Sequence, residues 1–163
     1  QKMIYLQFGN QLKKNEIDTI GTDHVANQLK LKLGGNDVWS ALAGFPGIGT
    51  LLPILLSEGV NRDRINLNQL VNLTSTNASK IFGLNEKGVI GIDFDADITL
   101  IDLKKERKVS PELFGGFSDY LVYDGWMLKG WPTKTIVRGS IVAEDFQVTG
   151  KPGHGKLVSR KLS

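Results

Sequence analysis

The chain has 163 residues, 40% of them hydrophobic and 23% charged, the balance of an ordinary globular protein and not of a disordered one. That length falls short of the ~250 residues of a complete (β/α)8 barrel. A net charge of +3 whose densest run, Lys104-Lys105-Glu106-Arg107-Lys108, holds an acid and no aromatic argues against nucleic acid, no apolar run of ~18 residues argues against a membrane helix, and the lack of cysteine excludes disulfides and thiolate chemistry.

Residues 1–15 place Met3, Ile4, Phe8 and Leu12 near helical spacing, with Asn15 as a stop. Ile17-Asp18-Thr19-Ile20-Gly21-Thr22 is short and rich in β-branched residues, which predicts a strand, and Asp23-His24 follows it directly. Residues 25–47, with Gly34-Gly35-Asn36-Asp37 and Gly44-Phe45-Pro46-Gly47, read as a long loop. A helix is predicted from about Ile48 to Ser57, apolar nearly all round and therefore buried, with Pro53 in its first turns and Gly59 as its stop. Asn66 with Gln69 forms a capping-box pattern for a helix over 67–72. Ser75 or Thr76 can cap another that runs to Phe82 and ends at Gly83.

From Lys87 the texture turns to β. Val89-Ile90 and Ile98-Thr99-Leu100-Ile101 are strand-like, and Gly139-Ser140 between two β-branched runs predicts a hairpin over 135–143. This places a boundary near residue 87, between an α/β part (1–87) and an all-β part (88–163). The Lys104–Lys108 run reads as a solvated strand end or turn.

Chemistry is sparse. His24 and His154 are the two histidines, too few for a self-contained zinc or di-metal centre. There is no nucleophile elbow and no phosphate-binding loop. Asp23 stands at the end of a predicted buried strand, where barrel enzymes place catalytic carboxylates, although an aspartate there also caps turns. His24 reads as a packed or orienting imidazole rather than a ligand. Asp93, Asp95 and Asp97 alternate like calcium ligands but lack the glycine and distal glutamate of an EF-hand, so a turn into a strand accounts for them better. The sequons at Asn72 and Asn77 fall in predicted helices and are discounted.

The order of motifs resembles the cyclic amidohydrolases: hydantoinases, dihydropyrimidinases, allantoinases and dihydroorotases. Ile17–His24 resembles their eighth-strand motif, and Gly44–Pro53 and Leu70–Leu84 continue the match. Lys87–Ile90 and Asp95–Asp102 resemble the return into their β-sandwich, and Gly150–Val158 resembles a hydantoinase-type tail. The resemblance implies an α/β fold, the C-terminal portion of a (β/α)8 metal-dependent hydrolase barrel plus part of a composite β-sandwich, with the chain starting mid-barrel. It implies a centre of paired metals, usually zinc, held by histidines and a carbamylated lysine from earlier strands together with Asp23. Asp23 would also take a proton from the attacking water and deliver it to the leaving nitrogen. Ala43 and Gly44 match a loop that holds substrate through backbone groups. Asn27 takes the place of a substrate-binding histidine of dihydroorotases, which favours the hydantoinase/dihydropyrimidinase side. So do the tail, Ser118-Asp119-Tyr120 and Tyr123-Asp124-Gly125. Hydantoinases usually carry asparagine where this chain has Ala43, and allantoinase stays open. The resemblance also implies a small cyclic amide as substrate, a homo-oligomer and a cytoplasmic protein that includes the N-terminal barrel portion. Alone, these residues would be inactive. The alternative is a non-catalytic, hydantoinase-like scaffold.

Overall fold

The computed structural model describes residues 9–35 and 37–160. Residues 9–13 are helical, and the chain leaves that turn through Asn15 at φ 58°, a left-handed conformation that asparagine tolerates well. The expectation for residues 1–8 lies outside the described residues. Leu12, Ile17 and Ile20 then pack against a buried cluster of Leu56, Ile65, Leu70 and Leu73.

Residues 16–23 carry no regular secondary structure and form no ladder. A strand needs a neighbour to take its amides, and among the described residues this run finds helix atoms instead. The Ile20 amide donates to Leu73 O (3.2 Å), and Asn77 Nδ2 donates to Asp18 O (2.9 Å). The predicted long loop contains a short helix, α1 (Leu29–Leu33), and a 3-10 turn, Val38–Ser40, capped by the Asp37 carboxylate.

The predicted apolar helix is α2 (Leu51–Ile54), which widens without a break into a π-turn over Leu55–Val60. Pro53 lies in its first turn, where its missing amide costs nothing. Leu56, Pro53 and Thr50 are fully buried. Gly59 does not stop this helix. It lies inside the π-turn, where an added Cβ would sit 3.0 Å from Ile65 Cγ1. Close approach of Ile65 therefore explains the glycine.

The Asn66–Gln69 capping box forms as expected and starts α3 (Leu67–Val71). No second cap follows. A π-turn, Asn72–Thr76, joins α3 directly to α4 (Asn77–Ile81), and Thr76 Oγ1 donates to Gly88 O (2.7 Å) instead of capping. Gly83 closes α4 at φ 66°, with its amide on Lys80 O and that of Leu84 on Ser79 O. This pairing satisfies the last orphan carbonyls.

A four-stranded antiparallel meander completes the described chain: β1 (Ile98–Lys108), β2 (Met127–Val137), β3 (Ser140–Glu144) and β4 (Gln147–Val148). Arg138 and Gly139, at φ 45° and 78°, make the two-residue turn of the predicted hairpin. The acidic string organises its approach. Asp97 accepts the Arg138 amide (2.8 Å), while Lys87 Nζ pairs with Asp95 (2.6 Å) and with Asp97. These aspartates thus shape a turn into a strand, as expected. Val89-Ile90 belongs to no strand.

Sheet and helices share one packing surface. Gly130 lies against Leu56, and Asn61 Nδ2 donates to Leu56 O, Leu103 O and Lys129 O (3.2, 3.4 and 2.9 Å). A second buried cluster, Val109, Leu128 and Trp131, takes Ile54, Phe114 and Phe146 at its edge. Among the described residues no helix is long and apolar enough to cross a membrane.

Candidate active site

The site is built where this run ends. Asp23 is exposed and adopts φ 48°, which turns the chain so that the following residues meet the 44–48 segment. His24 forms an isolated parallel bridge with Phe45, and the Val25 amide donates to Phe45 O (3.1 Å). His24 Nδ1 accepts the amides of Gly47 (3.0 Å) and Ile48 (3.4 Å). Those amides open the turn into α2, where Leu51 N donates to Gly47 O (3.1 Å). The imidazole thus satisfies two amides of the turn that precedes α2.

Gly44 lies against this strand end. At φ 74°, a Cβ on it would sit 2.2 Å from Val25 Cγ2 and 3.3 Å from Asp23 O. The structure therefore brings the backbones of Asp23 and Gly44 together and leaves Ala43 exposed. Asn27 follows two residues after Val25 and donates its amide to Val25 O (3.1 Å), with its side chain half-buried. A cavity of about 310 Å³ lies alongside, lined by Thr22, Phe45, Pro46, Gly47 and Tyr123 among others.

Two residues that hold this loop carry no signal in the sequence pattern. Lys32 Nζ donates to Leu42 O (2.6 Å) and stands 4.2 Å over the Phe45 ring. Asp119 Oδ1 accepts the Leu29 amide (2.7 Å) at the start of α1. Asp119 belongs to a segment singled out by resemblance, whereas only the fold identifies Lys32. His154 takes no part: its Nε2 contacts Val137 O (3.1 Å) and docks the tail on the hairpin.

Asp23 suits a divalent metal. Its carboxylate is exposed and accepts no hydrogen bond among the described residues, and oxygen donors match such ions. It is a single ligand, and no group of three or more His, Cys, Asp or Glu is gathered among the described residues. The donor set fits one corner of a metal centre and not a whole one.

Residues 8–142 match the amidohydrolase family model. The chain belongs to the amidohydrolase family. It is 36% identical over 158 residues to the L-hydantoinase of Paenarthrobacter aurescens, across 96% of this chain and 34% of the enzyme. It is 42% identical over 134 residues to the dihydroorotase of Methanosphaera stadtmanae, across 82% and 30% of the two chains. The D-hydantoinase structure from Bacillus sp. AR9 superposes with a TM-score of 0.92 at 35% identity, over 98% of this chain and 36% of that one. The α/β fold is that of these enzymes, and the chain spans about a third of their length.

Proposed function

We propose that this chain supplies the last barrel strand, the substrate loop and part of the β-sandwich of a metal-dependent hydrolase that opens cyclic ureides or imides at an amide C–N bond. In this reading residues 1–87 complete a (β/α)8 barrel and residues 88–163 belong to the sandwich. The observation that carries it is the placement of Asp23. Asp23 is exposed directly before the His24–Phe45 bridge, with Gly44 close against its backbone carbonyl and the turn before α2 tied to His24.

A bound pair of metals, zinc by resemblance, would polarise the substrate carbonyl and lower the pKa of the attacking water. Asp23 would hold one of them. Its carboxylate oxygen takes the proton that the water loses and gives it to the leaving nitrogen, so one group serves as base and then acid. Ala43 and Gly44 offer backbone groups to the substrate, and the bare Cα of Gly44 permits the close approach of Val25. Asn27, in place of a histidine, favours a hydantoin or dihydropyrimidine ring over dihydroorotate. The remaining ligands come from barrel strands outside these residues, so the isolated chain is inactive. The cysteine-free composition supports a cytoplasmic setting, and the resemblance supports a homo-oligomer.

The test is to isolate the full-length protein, measure its metal content, and follow ring opening of hydantoin, dihydrouracil, allantoin and dihydroorotate. About two metals per chain and turnover of a ureide sustain the proposal. A metal-loaded protein that opens none of these rings refutes it.

A further inference from the structure

We propose that His24 is a positioning residue: its imidazole, through Nδ1, locks the backbone next to Asp23 to the amide pair of the turn that precedes α2. The inference rests on the hydrolase reading for its kinetic consequence but on geometry for its existence.

Four contacts converge within a few residues. His24 pairs with Phe45, and Val25 donates to Phe45 O. Gly44 has no room for a Cβ because Val25 and Asp23 lie against it. Nδ1 of His24 accepts from both Gly47 and Ile48. Only the last is a side-chain hydrogen bond, and it joins the residue next to Asp23 to the segment that follows the substrate loop. Asp23 itself has nothing among the described residues to hold its carboxylate, so its direction depends on the backbone on which His24 acts. An acceptor at Nδ1 requires that nitrogen to be bare, which places the proton of the neutral ring on Nε2. The ring therefore acts as a fixed tautomer with a structural task, and Nδ1 is spent on the loop.

Two substitutions separate this role from simple filling of space. His24→Asn places an amide oxygen where Nδ1 lies and keeps an acceptor for both amides. His24→Phe keeps the ring and loses the acceptor. In the full-length, metal-loaded protein, His24→Phe is expected to lower kcat by about 10- to 100-fold, the scale of losing an orienting partner beside a metal ligand. KM should change little, and His24→Asn should recover most of the loss. Two readouts do not depend on activity. Amide exchange of Gly47 and Ile48 should quicken by about tenfold in His24→Phe and not in His24→Asn, as expected for local loss of one protecting bond. Nitrogen NMR of histidine-labelled protein should show Nδ1 without a proton.

The proposal is overturned if Nδ1 carries the proton, if both variants match the parent in kcat, or if the asparagine variant falls as far as the phenylalanine one. If His24→Phe fails to fold, the nitrogen spectrum of the parent and the asparagine variant decide the matter. A parent protein that shows the bare Nδ1 and protected amides but opens no cyclic amide would refute the hydrolase reading and leave the tether standing.

Discussion

Gly130→Ala should destabilise this fold strongly, and Gly139→Ala calibrates it. Both glycines have positive φ, 96° and 78°. At Gly139 a Cβ would meet nothing within 4 Å, whereas at Gly130 it would lie 2.8 Å from Leu56 Cβ and 3.1 Å from Asn61 Nδ2. The alanine at 139 therefore bears only backbone strain, about 1–2 kcal/mol. The alanine at 130 bears similar strain plus the cost of forcing a fully buried helix residue away from the sheet, about 1–3 kcal/mol more. It also disturbs the three hydrogen bonds through which Asn61 joins the π-turn to β1 and β2. The expected loss is about 2–5 kcal/mol for Gly130→Ala, against about 1–2 for Gly139→Ala. Equilibrium urea unfolding with an unchanged slope gives both numbers. Equal losses at the two sites would show that the helix–sheet contact at Leu56 is not tight, and the packing described above would be wrong.

The other expectations are narrower. Asp23→Asn keeps shape and removes the base, so ring opening by the full-length protein should fall by about 10²–10⁴-fold or more, with stability nearly unchanged; retained turnover would remove Asp23 from the chemistry. Asn66→Ala deletes the capping box at α3 and should cost about 1 kcal/mol, read in the same urea assay, while a neutral effect would mean that Gln69 holds the turn through Lys13 and Asn15 alone. Lys87 tests the Asp95–Asp97 turn through pH. Burial pushes the Asp97 carboxyl up, but the hydrogen bonds from Lys87 and the Arg138 amide outweigh it and hold it below its ordinary 3.8. Hydrogen bonds to Asp95 and then Asp97 raise Lys87 above 10.5. The carboxylate's share of stability is thus present above 3.8 and lost as pH falls through the lower folded value, while the ammonium's is present below 10.5 and lost as pH rises through the higher one. Lys87→Met should weaken the protein between those limits and flatten both limbs in a pH series of melting temperatures; limbs as steep as the parent's would assign the pH dependence elsewhere.

Features written in a few adjacent residues were legible from the sequence. The Asn66–Gln69 box, the Gly83 stop and the hairpin at Gly139 each depend on one side chain or one positive φ reaching its own neighbours, although the hairpin turns at Arg138-Gly139 and not at the expected Gly139-Ser140. Features that depend on distant partners were not. Ile17–Thr22 has strand composition, yet it bonds to Leu73 and Asn77 of a helix, because pattern shows which residues favour extension and not what lies beside them. The π-turns escaped for the opposite reason. Gly59 and Ser75-Thr76 look like helix ends, but Ile65 and Gly88 draw those residues into tertiary contacts that leave the helix running through them.

The same division runs through the candidate site. Asp23 could be singled out because a carboxylate after a short apolar strand is a local pattern with a chemical meaning. What makes it useful is not local. Asp119 holds the start of α1 from 90 residues away, Lys32 of α1 holds Leu42 and Phe45, and Phe45 meets His24 and Val25 on either side of the bridge. Each contact is weak when exposed, about 0.5–1.5 kcal/mol for a hydrogen bond, and none would fix a loop alone. In series they connect the sheet-side segment around Asp119 to the residue next to the carboxylate. In the proposed reaction Asp23 takes a proton from water and returns it to the leaving nitrogen, work that would tolerate little drift. A chain of small, separately replaceable contacts spreads the cost of holding it over residues whose identities, taken one at a time, say nothing about catalysis.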